Sequence, residues 1–151
     1  MEKEWYVVNT YSGHENKVKE KFNTDIYALE PDTMSIIKTK NITGHKIEGI
    51  GDDFIPNIVD LTLIKDIILI SDMDAINMSK KISSELGIGV GISSGANMIA
   101  SILLKEMGYK NVITVFPDDN KKYLSTDLTK NIKLNSNNIS SKVELLRYEV
   151  I

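Results

Sequence analysis

The stretch IILISDMDAINMSKKISSELGIGVGISSGANMIASILLKEMGYKNVITVF, residues 67–116, decides the fold. Its opening residues, Ile67–Ile70, form a short apolar run and read as a buried strand. Ser71 offers a hydroxyl cap, and Asp72 and Asp74 place acids in a first helical turn, where the helix dipole favours them. Ala75, Met78, Ile82 and Leu86 recur on one helical face, and Gly87 is the expected stop. Gly89–Ile92 is a short link into Ser93-Ser94-Gly95, read as a second helix start with a serine cap and close packing at Gly95. That helix runs through Met98, Ile102 and Met107 and stops at Gly108. Val112–Phe116 is a second strand, closed by Pro117. Strand and helix alternate, so the fold class is α/β: a parallel sheet with flanking helices, its strands at the two ends of this stretch running parallel.

Working outward, Ile26–Leu29 is another apolar run, stopped at Pro31 because proline lacks the ladder N–H. Residues 32–56 hold glycines at 44, 49 and 51 and a proline at 56, which predicts loop broken by short helical turns. Trp5–Thr10 is aromatic and β-branched and reads as a strand. Ser12-Gly13 turns the chain, and Glu15–Phe22 reads as a short helix with Val18 and Phe22 on one face. On the other side, Asn135–Ser141 is a polar linker. Val143–Ile151 is open between a final strand and a frayed tail.

Composition narrows the function classes. A chain of 151 residues with 42% hydrophobic and 26% charged content can bury a core of about one domain. No apolar run is long enough to span a bilayer. The start, MEKEWY, has no basic region leading into an apolar stretch, so no secretory signal is expected. The absence of cysteine excludes disulfides, thiolate zinc sites and a cysteine nucleophile, and fits a cytoplasmic protein. A net charge of −3 argues against broad phosphate-backbone binding, so no direct nucleic-acid contact is expected. The KVKEK cluster at 17–21 is interrupted by acids and reads as a solvated helix face.

Chemistry is expected beyond the carboxyl ends of the parallel strands. Glu30-Pro31, Ser71 onward and Pro117-Asp118-Asp119 should emerge there. Gly91-Ile92-Ser93-Ser94-Gly95 lies at a helix N-terminus, whose free N–H groups and two hydroxyls make a compact polar cup. The G-x-G-x-x-x-G spacing from Gly89 to Gly95 departs from the dinucleotide fingerprint and lacks its ribose-binding acid. Asp52-Asp53 and Asp118-Asp119 are adjacent pairs whose side chains point apart on an extended chain, so both read as surface loops. His14 and His45 are far apart in sequence, and no metal site is expected. No catalytic residue is assigned.

Two resemblances lie on these residues, joined near Phe22–Asp25. EWYVVNTYSGHENKVKE at 4–20 resembles the first strand and helix of the transcription factor NusG, with Asn9 where that family carries histidine. HKIEGIGDDFIP at 45–56, GVGISSGAN at 89–97 and VFPDDNKKYLST at 115–126 resemble the C-terminal part of cysteine synthase, over residues 26–130. The chain is therefore identified as a chimera with three parts. Residues 1–22 are NusG-like, 23–131 are a cysteine synthase-like α/β region, and 132–151 are linker and tail. The resemblance implies a partial parallel sheet from a fold-type II pyridoxal-phosphate enzyme, preceded by one foreign strand and helix. That foreign piece, selected against a different sheet, is expected to pack poorly.

The cysteine synthase resemblance implies pyridoxal 5'-phosphate as cofactor and β-replacement on O-acetylserine, sulfide displacing acetate. It places Ser93 at the pyridine nitrogen. It places Gly49, Ile50 and Gly51 along the substrate side, and Pro117 and Asp118 beside the ring edge, with Asp118 standing where many members carry a small hydroxyl residue. The family's Schiff-base lysine sits in an S-x-K-D-R motif, its asparagine loop in T-S-G-N-T-G, and its phosphate cradle in G-T-G-G-T. This sequence has none of the three. Only Ser93 remains of the main cofactor anchors, which tells against firm binding. Lys46, Lys121 and Lys122 lie near the matched motifs but in no lysine motif. The expectation is a cysteine synthase-like fragment, inactive by itself. The partners implied are a small-molecule substrate, a second copy of the chain in a homodimer, and RNA polymerase should the NusG-like segment function. The alternatives are a NusG-like elongation or termination factor fragment and a non-catalytic binding or structural remnant.

Overall fold

A computed structural model describes the backbone of Tyr6–Val8, then residues 24–131, 133, 135–147 and 149. The helix expected over Glu15–Phe22, with His14 and the KVKEK cluster, lies outside the described residues. The strands are β1 (Tyr6–Val8), β2 (Asp25–Pro31), β3 (Met34–Ser35), β4 (Asn41–Ile42), β5 (Ile64–Ile70) and β6 (Val112–Thr114). Helix α1 spans Asp72–Leu86 and α2 spans Ile92–Glu106.

Four strands form one parallel sheet in the order β5–β2–β1–β6. β5 and β6 are parallel, as expected, but they are not neighbours, because β2 and β1 lie between them. The strand from the NusG-like segment is thus no appendage. Val7 of β1 stands opposite Ile26 on one side and Ile113 on the other. An interior strand has its ladder groups satisfied on both edges, so removing it would leave two open edges.

The stretch expected to be loop with helical turns, 32–56, is loop and turn with one small antiparallel pair set into it, β3 with β4. Two-residue strands carry no alternation for a pattern to detect. What shapes this segment is the buried carboxylate of Glu30, which accepts from the Ser35 hydroxyl at 2.6 Å and from the Ile37 and Lys38 N–H groups at 3.0 and 3.2 Å. The tail beyond Ser141 shows no strand among its described residues.

Helix α1 begins and ends as its sequence dictates. The Ser71 hydroxyl accepts from the Asp74 N–H, and Gly87 takes the left-handed conformation at φ +72°. Both helices bury one face into a single core. Ala75, Ile76, Met78 and Ile82 meet Ala96, Ile99, Ala100 and Leu104, with Tyr27, Leu29 and Ile70 from the sheet. Met107, placed on the run of α2, is exposed. The helices approach closely at Gly95, where an added Cβ would lie 2.0 Å from the Ala75 carbonyl oxygen and 2.6 Å from the Ser79 nitrogen. The Ser79 hydroxyl donates to the Val90 carbonyl at 2.7 Å and so ties α1 to the link entering α2.

Asp74 anchors the C-terminal segment to the same helix. Its Oδ1 accepts from the Ser140 N–H and hydroxyl, both at 2.8 Å, and its Oδ2 from Ser71 at 2.9 Å and Asn138 at 3.3 Å. Burial opposes its charge, yet these four donors prevail and hold its pKa below the ordinary value.

Two predictions follow from this packing. Gly95→Ala should lose roughly 2 kcal/mol in a denaturant titration, because overpacking against fixed backbone exceeds the roughly 1 kcal/mol that alanine gains in a helix. An unchanged midpoint would mean that the helices can part without cost. The Asp74 stabilisation should be fully present above the unfolded carboxylate value of about 3.9 and be lost as pH falls through the lower folded value. Asp74→Asn should therefore remove part of the acid limb of the stability–pH curve, and an identical limb would rule this anchor out.

Candidate cofactor-end site at the start of helix α2

The link Gly89-Val90-Gly91 brings the chain from α1 to α2 directly beneath the segment 118–123. Each glycine has a reason there. A Cβ on Gly89 would sit 2.9 Å from Asn120 Oδ1, and a Cβ on Gly91 would sit 2.0 Å from Asp118 Oδ1 and 2.7 Å from Tyr123 Cε2. The G-x-G spacing is thus explained by clearance for a crossing segment. The Gly91 N–H donates to the Asp118 carbonyl at 3.0 Å and locks the crossing.

Gly91, not a serine, is the N-cap of α2, and no side chain caps the helix. The serine-cap reading is therefore corrected. Ser93 is 4% exposed. Ser94 is fully buried with its Oγ unpaired. Asn97, one turn beyond Ser93 on the same helical face, donates from Nδ2 to the Val115 carbonyl at 2.7 Å and leaves its Oδ1 unpaired. That bond fixes the helix face bearing Ser93 toward the segment leading to Pro117-Asp118.

Asp118 is not the surface residue its sequence suggested. Its Oδ2 accepts from the Tyr123 hydroxyl at 2.5 Å and pairs with Lys122 Nζ at 3.1 Å, while its Oδ1 is buried without a partner. Burial and the hydrogen bond to Asp118 raise the Tyr123 pKa. Hydrogen bonding to Tyr123 and to Asp118 raises that of Lys122. Asp119 is exposed and serves its own turn, accepting from the Lys121 N–H at 2.8 Å. Pro117 is exposed.

The Gly49–Gly51 loop is built separately. Gly49 and Gly51 have φ +87° and +70°, and a Cβ on Gly51 would meet Pro31 at 2.8 Å. Ile50 is 7% exposed and belongs to the core. His45 organises the turn: its Nε2 donates to the Gly51 carbonyl at 3.1 Å, and its Nδ1 accepts from the Ile47 N–H at 3.2 Å. The structure brings Ser93 and Asp118 together around Gly91. It joins the 45–51 loop to the same corner through the Lys46–Asp127 ion pair and through Ile47 and Ile50, which share a core with Tyr123 and Leu128. No hydrogen bond among the described residues links Gly49–Gly51 to Ser93. Tyr123, Asn120 and His45 were missed as site-builders; the glycines opposite them were the available signal.

The model of the family described as transcription termination factor nusG matches residues 3–102. Cysteine synthase B of Campylobacter jejuni is 40% identical over 121 residues, covering 79% of this chain and 40% of the relative. Cysteine synthase of Buchnera aphidicola is 38% identical over 122 residues, covering 74% of the chain and 38% of the relative. The hydrogen sulfide-producing enzyme of Fusobacterium nucleatum superposes with a TM-score of 0.82 at 39% identity, over 91% of this chain and 44% of that one. Cysteine synthase of Entamoeba histolytica superposes with a TM-score of 0.77 at 31% identity, over 88% of this chain and 42% of that one.

The chain is a NusG-like and cysteine synthase-like chimera. By the model match it belongs to the NusG family, and over most of its length its sequence and fold are similar to those of cysteine synthases. It spans about 40% of the length of the curated relatives it matches. The match to the NusG model runs well past residues 4–20, while the superposition on cysteine synthase-type structures covers most of the chain.

The chimera's central corner can be tested without any ligand. Gly91→Ala should cost roughly 1–3 kcal/mol, because its methyl group takes the place of the Asp118 carboxylate. In an Asp118→Ala background the cost should shrink by about 1 kcal/mol, measured as a double-mutant cycle in urea. Strict additivity would separate Gly91 from Asp118.

Proposed function

We propose that this chain carries the ring-nitrogen end of a cysteine synthase cofactor site and is inactive as an enzyme by itself. The observation that supports the reading is Ser93, 4% exposed in the first turn of α2, beside a turn fixed to Gly91. A hydroxyl there can donate to a pyridine nitrogen, and the residues present fit that end of pyridoxal phosphate. In the complete family the cofactor supplies the electron sink for β-replacement. Here Ser93 would hold the ring nitrogen. Pro117 and Asp118 would border the ring edge, and Gly49, Ile50 and Gly51 the substrate side.

The remainder of that site does not fit. The sequence lacks the lysine motif, the asparagine loop and the phosphate loop that the resemblance requires. Lys46 is paired with Asp127, Lys121 with Asp119 and Lys122 with Asp118, so each is engaged in a surface ion pair. Orientation and preorganised electrostatics supply much of the barrier reduction in enzymes, and their loss leaves no useful turnover. The division proposed is a NusG-like segment over 1–22, the cysteine synthase-like region over 23–131 and a linker and tail over 132–151. No helix among the described residues is long and apolar enough to cross a membrane.

A second reading has its own support, the family-model match at 3–102: a NusG-like fragment that binds RNA polymerase. Co-purification of the chain with polymerase, abolished by replacing residues 4–20, would favour it.

Purified chain given pyridoxal phosphate, O-acetylserine and sulfide should make no cysteine above a lysine-rich control protein. Saturable turnover that disappears on Ser93→Ala would contradict the inactive reading.

A further inference from the structure

We propose that the groove between the C-terminal half of α2 and the entry to β6 is a binding site for an amphiphilic monocarboxylate, a single carboxylate on an unbranched alkyl chain. It lies toward the opposite end of the helix from the Ser93 corner. At the helical rise of about 1.5 Å per residue, Lys105 stands about 18 Å beyond Ser93. The inference does not depend on the cofactor-end reading.

Met98, Ser101, Ile102 and Lys105 recur at i, i+3, i+4 and i+7, which puts them on one stripe of α2. With Lys110, Asn111 and Val112, from the turn that enters β6, they line a cavity of about 350 Å³. Ligand pockets begin at roughly 300 Å³. β6 is an outermost strand of the sheet, so no further described strand covers this edge. Met98, Ile102 and Val112 are only partly buried against the core, and they supply the apolar part of the lining.

The charges in the lining are of one sign: two ammonium groups and no carboxylate. Lys105 Nζ donates to the Lys110 carbonyl and closes the turn between helix and strand. The Lys110 ammonium and the Asn111 amide have no hydrogen bond or ion pair among the described residues. Ser101 spends its proton on the Asn97 carbonyl at 2.8 Å. The donors left for a ligand are therefore Lys110, Asn111 and the remaining protons of Lys105. A helix C-terminus disfavours anions, but here its last carbonyls are already engaged. Those of Leu103, Lys105 and Leu104 accept from the Met107, Gly108 and Tyr109 N–H groups at 2.9, 3.0 and 3.1 Å. Two ammonium groups and an amide, with no guanidinium fork and no helix N-terminus, suit one carboxylate better than a phosphate. Met98, Ile102 and Val112 then call for an alkyl chain. Burial of that chain supplies most of the affinity, while the exposed ion pair adds little and sets the selectivity.

The test uses the full chain with 13C-labelled methionine and isoleucine methyl groups. Octanoate, 1-octanol and octylammonium serve as probes, each below the concentration at which it aggregates. Octanoate should shift the Met98 and Ile102 methyl signals saturably, together with the amides of residues 110–112. Octanol should bind more weakly and octylammonium most weakly. Lys110→Gln changes an exposed side chain. It should weaken octanoate about two- to fivefold, as expected for one exposed ion pair, and leave octanol unchanged. Ser101→Phe, which fills the groove, should remove the shifts from all three probes; should that variant not fold, Lys110→Gln decides alone. Equal affinity for the three probes, or the same octanoate affinity in wild type and Lys110→Gln, would overturn the carboxylate assignment. Absence of saturable shifts at Met98 and Ile102 with every probe would overturn the site itself.

Discussion

The architecture depends on one backbone-to-backbone approach. Helices α1 and α2 touch at Gly95, where the space for a Cβ is filled by the Ala75 carbonyl and the Ser79 nitrogen. That approach lets Ala96, Ile99 and Ala100 close on Ala75, Met78 and Ile82. It also sets where α2 begins. With Ser79 holding the Val90 carbonyl, Gly91 falls beneath Asp118, and the first turn with Ser93 is aimed by the same geometry. Core packing and candidate site are therefore one problem. A small shift of α2 would alter the core and the position of Ser93 together, because packed interiors deform in steps more readily than smoothly.

The parts legible in the sequence were those with local causes. Ser71 caps a helix, Gly87 ends it, and Gly95 packs tightly; each leaves its mark within a few residues. The parts that were not legible have distant causes. Asp118 looked like half of a surface pair because nothing near it in sequence shows that Tyr123 and Gly91 will enclose it. The serine cap looked sound because a hydroxyl at a helix start usually caps, yet here the N-cap is Gly91 and no side chain caps the helix. The β3–β4 pair escaped notice because each strand has only two residues. Its real organiser is a buried glutamate reached from three positions.

Order within the sheet is the other long-range property. Two adjoining segments of different parentage suggested a foreign strand and helix that pack poorly. Parallel pairing instead places β1 in the interior, with β2 and β6 on its flanks. Backbone hydrogen bonding is indifferent to ancestry, and a strand of three β-forming residues can enter a sheet whose other members evolved elsewhere.

The central claim is that the NusG-like strand is structurally part of the cysteine synthase-like sheet that carries the Ser93 corner. Amide hydrogen exchange of the full chain tests it most directly. The account predicts that amides of Tyr6–Val8 bonded to the flanking strands exchange as slowly as the core amides of β2. Rapid exchange throughout Tyr6–Val8, with β2 and β6 still protected, would contradict it.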